Sequence, residues 1–156
     1  MTITPHLLAG SALAVATTDN IAVAFLIGFF LHFLIDAIPH VDPGTFFNVP
    51  ENNDKSWPLW IYIFAVSEFV VAWGLIILLF QHKTDFGIIM FGALGGIAVD
   101  VLDNNPFRTL RTLPVIKQIH WLHKKLHFDL SYNKWYWGMP TQIIFIGASL
   151  WYLLKF

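Results

Sequence analysis

The sequence predicts an all-α fold. The expected architecture is a polytopic membrane helix bundle of four to five short helices plus an amphipathic helix at the cytoplasmic interface, all within one integral-membrane domain over residues 1–156. Three observations carry this expectation. The chain is 56% hydrophobic and only 12% charged, against about 25% charged in an ordinary soluble domain. Its mean hydropathy is +0.62, and a chain this short encloses too little volume to hide that much apolar surface from water, so lipid is the expected solvent. Aromatic residues reach 17%, with seven Trp, and such rings favour the membrane boundary, where the ring rests in lipid and the polar tip meets water. A net charge of -1 gives no basic excess of the kind that recruits nucleic acid. The absence of cysteine excludes disulfides and thiolate metal ligands.

Pro5 to Thr18 reads as a short helix, with Thr4 as N-cap and Pro5 at the first helical position. At ~1.5 Å per residue it falls short of a ~30 Å hydrocarbon core, so it enters tilted or in part. No Lys or Arg precedes its apolar run, His6 to Ala16, which is not the pattern of a secretory leader. Thr17-Thr18-Asp19-Asn20 has turn composition. The second helix, Ile21 to Ile38, is apolar except for His32 and Asp36 and is stopped by Pro39. Residues 41–57 form a polar loop. Pro58 to Phe80 is the clearest membrane span, with the single charge Glu68 and with Trp57 and Trp60 as boundary anchors. After a turn at Gln81–Asp85, a helix from Phe86 to about Asp103 carries Gly87, Gly92, Gly95 and Gly96, small residues that let helices approach closely in lipid. Residues 107–137 form a basic region with an amphipathic stretch near Leu113–His127, and Gly138 to Phe156 is the last apolar helix. A weak internal echo aligns Gly28…Asp36 with Gly92…Asp100, glycine and aspartate eight residues apart in both.

Arg108, Arg111, Lys117, Lys124, Lys125 and Lys134 all lie between Asn104 and Gly138. By the positive-inside rule that stretch is cytoplasmic. Counting back places Asp100 and Asp103, Asp36 and His40, and His6 at the same face. Four groups of ionisable residues, remote in sequence, are thus predicted to meet at one side of the bilayer.

Ionisable groups in membrane segments cost roughly 2.5–3.5 kcal/mol each on insertion scales and are candidates for function. His32 and Asp36 share a helix face and can grip one ion, and His40 sits just past Pro39, within reach of the same ion. His120, His123 and His127 recur at i, i+3 and i+7, and the His123/His127 pair has the spacing of helical zinc ligands. The expected metal ligands are His6, His32, Asp36, His40, Asp100, His123 and His127. The cofactor they imply is a divalent metal, Zn²⁺ first and Mn²⁺ or Fe²⁺ next. Such an ion makes bound water acidic enough to ionise near neutral pH, and Asp103 or Glu68 is the expected proton acceptor. Each group also has a plainer reading: a His–Asp bond between helices, a helix-end turn for Asp103, an interfacial helix meeting lipid headgroups for the three histidines, a backbone-bonded acid for Glu68. Asp42 and His82 read as loop residues, His82 on the outer side.

Thr4-Pro5-His6-Leu7-Leu8-Ala9-Gly10, followed by His32-Phe33-Leu34-Ile35-Asp36-Ala37-Ile38-Pro39-His40-Val41-Asp42-Pro43, resembles the predicted inner-membrane metal-dependent hydrolases of the YdjM type. More distantly the pattern is similar to zinc-dependent phospholipase C, an all-helical fold with scattered His and Asp ligands. The resemblance covers the first forty-odd residues well and the rest loosely. It implies that His6, Asp36 and His40 belong to a metal site and that the protein is an inner-membrane hydrolase. The chain lacks that family's His-Arg-Gly…Thr-His-Ser motif, for which His120, His123 and His127 would stand in. The expectation is therefore a hydrolase of a phosphoester or lipid-like substrate, with membrane lipid as its surroundings and its site facing the cytoplasm. Two other classes stay open: a metal-ion or proton-coupled transporter, and a non-catalytic membrane protein whose His/Asp pairs join helices.

Overall fold

A computed structural model describes residues 1–43, 58–103 and 112–156. The helices are α1 (Ile3–Thr17), α2 (Ile21–Asp36), α3 (Leu59–Phe80), α4 (Phe86–Asp103), α5 (Pro114–Leu126) and α6 (Trp135–Lys155), the last entered through a 3-10 turn at Tyr132–Lys134. Among the described residues all regular structure is helical, apart from one parallel bridge between His40 and Asp129. The boundaries follow local chemistry. The Asn20 side chain accepts from the Ala22 and Val23 amides at 2.9 and 3.3 Å and so caps α2. Pro114 opens α5, and His123, Lys124 and Lys125 fill its last turn, where cations oppose the negative end of the helix. The expected first helix starts two residues earlier than Pro5, because the Thr4 amide finds its partner outside the helix, in Glu68 of α3, at 3.0 Å.

Of the four to five helices expected to cross a membrane, two are long and apolar enough: α3, with 22 residues, and α4, with 18. The apolar helices α1 and α2 have 15 and 16 residues, which at ~1.5 Å per residue is roughly 22–24 Å against a ~30 Å core. Most of α3 is uncovered: Ile63, Val66, Val70, Val71, Leu75 and Leu78 are exposed. Trp57, Arg108, Arg111 and Asn104-Asn105-Pro106 lie outside the described residues.

α1 forms the middle of the bundle, with Pro5 to Ser11 and Ala14 buried. Its Leu7 and Leu8 join Ala72, Ile76 and Phe80 of α3, Ile89, Ala93 and Ile97 of α4 and Leu153 of α6 in the main apolar core. On its other side α1 meets α2 and α4 at glycines. A β-carbon on Gly28 would come within 2.1 Å of the Gly92 carbonyl oxygen, and one on Gly92 within 2.6 Å of the Gly10 carbonyl oxygen. Only hydrogen fits between these three backbones. The stripes that meet are His6–Gly10–Ala14, Gly28–His32–Asp36 and Gly92–Gly96–Asp100, each in steps of four residues. Glycine brings the helices together at mid-height, and one or two turns further along the same faces the polar side chains converge.

Candidate metal centre

Asp36 is the hub. It ends α2, is 0% exposed, and lies beside histidines from three other parts of the chain. Its Oδ2 is 3.1 Å from His32 Nε2 and 2.9 Å from His123 Nε2. Asp100 of α4 brings Oδ1 to 3.8 Å from His32 Nε2. One ligand atom from each of His32, Asp36, Asp100 and His123 lies within 4.8 Å of all the others. Donors held ~2.0–2.1 Å from a tetrahedral ion are roughly 3.3 Å apart. The His32–His123 separation of 3.4 Å and the spacings to Asp36 match that edge.

The outward ring nitrogens are anchored, which turns the Nε2 atoms inward. His32 Nδ1 donates to the Gly96 carbonyl at 2.8 Å, and His123 Nδ1 donates to Asp103 Oδ2 at 2.8 Å. His40 Nδ1 donates to the Ile38 carbonyl at 2.8 Å. A carbonyl or carboxylate only accepts, so a proton sits on each Nδ1, and a ring in its neutral form presents its Nε2 lone pair to the cluster, a form His123 reaches only by exchanging its Nε2 proton for a cation. Backbone or carboxylate groups behind ligating histidines are the ordinary support of a metal ligand. Facing lone pairs, buried beside a carboxylate, need a cation or a proton between them. At His123 burial works against the charged ring, yet hydrogen bonds to Asp103 and Asp36 lift its pKa to about 10. The site therefore favours positive charge where these groups converge.

A second group adjoins the first. Asp36, His40 and His127 also offer ligand atoms within 4.8 Å of one another. The Phe128 amide donates to the Asp36 carbonyl at 2.8 Å and the Leu130 amide to the His40 carbonyl at 2.8 Å. This short backbone pairing holds the end of α5 against the end of α2. His40 and His127 then meet at 3.2 Å between Nε2 atoms. Asp42 lies 3.3 Å from His40 and 3.2 Å from His127. Burial acts to raise the Asp42 pKa, but the Met1 ammonium and the bonds from His127 and His40 hold it well below the usual carboxylate range. Gln142 of α6 fastens this corner: its Oε1 accepts from the Thr2 amide at 3.1 Å, and its Nε2 donates to the Val41 carbonyl at 2.8 Å.

His6, His32, Asp36, His40, Asp100, His123 and His127 are thus brought together, from α1, α2, the segment after α2, α4 and α5. His6 is stacked on His32, with ring centroids 4.1 Å apart, and its Nε2 lies 3.1 Å from Asp36 Oδ1. Of the two expected proton acceptors, Asp103 is bonded through both oxygens, whereas Glu68 is bonded through Oε1 and its buried Oε2 has no hydrogen bond. Asp103 gives one oxygen to His123 and the other to His120. Glu68 Oε1 accepts from the Thr4 amide at 3.0 Å and the Thr4 hydroxyl at 2.9 Å, tying α3 to the start of α1. His82 is exposed in the turn between α3 and α4. Sequence reasoning placed Asp42 in a loop and gave Gln142 no role. Asp42 carried a signal, standing two residues past His40, whereas Gln142 is a lone polar residue in an apolar helix.

Beside the centre, Lys117, His120, Trp121, Lys124 and Lys125 line a surface groove of about 370 Å³. His120 belongs to both, since its other contact is Asp103 behind His123. Compared with known proteins, the chain matches no family model, no curated protein and no solved structure.

Proposed function

We propose that this chain is a membrane-embedded metal-dependent hydrolase that acts on an anionic phosphoester or lipid-like substrate at the cytoplasmic face. The observation that carries the reading is the four-donor group His32, Asp36, Asp100 and His123, buried at the converging ends of three helices with the histidine Nδ1 atoms anchored from behind. Nitrogen and carboxylate oxygen donors without sulfur suit Zn²⁺ first, with Mn²⁺ and Fe²⁺ as alternatives. An ion bound there supplies a water that ionises near neutral pH and polarises a phosphoryl oxygen. Asp100 is the partly exposed carboxylate of the group, with its side chain 18% accessible. Beside Asp103 and Glu68, the acceptors expected from the sequence, Asp100 is the carboxylate of the group that can accept a proton from the solvent side.

The basic groove supports an anionic substrate, because Lys117, Lys124 and Lys125 face solvent next to His120. Lys125 also lies 4.9 Å from the Trp121 ring centroid, an amphipathic pairing suited to a headgroup region. The exposed apolar surface of α3 supports lipid as the surroundings. The cluster of Lys and Arg after α4 supports the cytoplasmic side for the site.

The test is metal analysis and hydrolysis by protein purified in detergent, beside the variant His32→Ala/Asp100→Ala. The native chain is expected to carry Zn, Mn or Fe and to cleave an activated phosphodiester or a phospholipid. The variant, with helix content retained by circular dichroism, should lose metal and more than about 100-fold in rate, beyond the upper end of what loss of an orienting residue costs. A native chain that binds none of these metals after reconstitution sinks the reading and leaves the histidines as joints between helices.

A further inference from the structure

We infer that the chain holds a second divalent cation beside the first, bound by His40, His127 and Asp42, with Asp36 bridging the two ions. This rests on the metal reading above through Asp36, which both groups share. The donors exceed what one ion can use. Five histidines (His6, His32, His40, His123, His127) and three aspartates (Asp36, Asp42, Asp100) crowd this corner, against about four ligands for a tetrahedral ion and about six for an octahedral one. They also divide around Asp36. His32 and His123 approach Oδ2 at 3.1 and 2.9 Å, whereas His6 and His40 approach Oδ1 at 3.1 and 3.7 Å. His127 lies 3.9 Å from Oδ2, so imidazoles face both oxygens of this one carboxylate, and a carboxylate faced on both oxygens can bridge two ions.

The second half has the dimensions of a metal site in its own right. His40 Nε2 and His127 Nε2 are 3.2 Å apart, close to the roughly 3.3 Å edge of a tetrahedral ion, and Asp42 meets them with separate oxygens, Oδ1 3.3 Å from His40 and Oδ2 3.2 Å from His127. His40 is locked from behind by the Ile38 carbonyl, and the backbone pairing of 128–130 fixes His127 beside it. Independent evidence comes from buried atoms without hydrogen bonds. His6, which is 1% exposed, has no hydrogen bond at either ring nitrogen. Its Nε2 lies 3.1 Å from Asp36 Oδ1, and a buried polar atom without a partner is costly. A positive group already lies there: the Met1 ammonium is 2.8 Å from Asp36 Oδ1 and 3.0 Å from Asp42 Oδ1. Paired ions about 3.5–4 Å apart clamp both the attacking and the leaving oxygen of a phosphoester, so the second ion would complete the chemistry of the first.

The experiment is to load the full chain in detergent with Mn²⁺, remove unbound ion, and measure metal content and the electron paramagnetic resonance spectrum. The expected result is about two equivalents with a broadened, exchange-coupled signal, as for ions about 3.5–4 Å apart. His40→Gln/His127→Gln should then keep about one equivalent and give the multiline spectrum of an isolated Mn²⁺. Native protein with about one equivalent and an isolated-ion spectrum overturns the inference while leaving the first site standing; the Met1 ammonium then serves as the cation of the second half. No bound metal overturns both. The native count and spectrum decide the matter even where a variant fails to fold.

Discussion

Asp103 and Glu68 illustrate how residue type and residue role separate. Both are acids on apolar helices, and from the sequence both are candidate proton acceptors. In the fold each is occupied by two donors. Asp103 stands behind His123 and His120, so it positions a ligand. Asp103→Asn should weaken metal binding about 10–100-fold, as is usual for the partner of a ligating histidine, without altering the number of ions bound; chelator competition measures this. Glu68 satisfies the Thr4 amide and hydroxyl. Glu68→Ala leaves those donors unpaired and should cost about 1–3 kcal/mol of stability, with metal content unchanged, as read by denaturation in detergent beside elemental analysis. A loss of metal in that variant would place Glu68 in the centre after all.

At the scale of the element, the helices were legible in the sequence because their signals are local. Pro39 stops α2, Asn20 caps it, and the glycine-rich span Phe86–Asp103 is α4. The echo between Gly28…Asp36 and Gly92…Asp100 also has a physical meaning, since the two glycines touch and the two aspartates share a cluster. What the sequence hid depends on distant partners. Thr4 and Glu68 are 64 residues apart, Thr2 and Gln142 are 140 apart, and no periodicity announces such a pairing. Asp42 was legible only in part: His40 stands two residues before it, but His127 arrives only when residues 128–130 pair with the end of α2. The glycine contact gives a clean prediction. Gly28→Ala forces backbone against backbone and should cost about 1–3 kcal/mol or more, and it should also weaken metal binding by parting Asp36 from Asp100. Gly74→Ala, where nothing lies within 4 Å of the new methyl, should be neutral or stabilising by up to about 1 kcal/mol. Thermal unfolding of the two variants compares them directly.

At the scale of the whole molecule, the centre sits where α2 and α4 end and α1 begins, and the turn at residues 81–85 lies at the other end of α4. If α4 crosses the bilayer, that turn and α5 face opposite compartments. The chain has no cysteine, so single cysteines at the exposed positions Thr84 and Lys124 are specific reporters. In sealed right-side-out vesicles an impermeant maleimide should label Thr84→Cys, and Lys124→Cys only after the membrane is opened. Equal labelling of both would exclude the crossing. The basic groove adds a lipid prediction: Lys117→Glu/Lys124→Glu should weaken binding of a short-chain anionic phospholipid by the detergent-solubilised chain severalfold, more so at low salt, as measured by lipid titration.

The backbone pairing between His40 and Asp129 also sets an order of assembly during synthesis. Asp36 meets His123 across 87 residues of chain, and the intervening α3 and α4 must be laid down before the segment carrying His123 and His127 exists. Closing so long a loop comes late in folding. A ribosome-bound chain stalled before residue 123 would therefore bring together only His32, Asp36 and Asp100 of the four-donor group. On the metal reading proposed above, ion capture would then be the last step of maturation, waiting for the segment that carries His123.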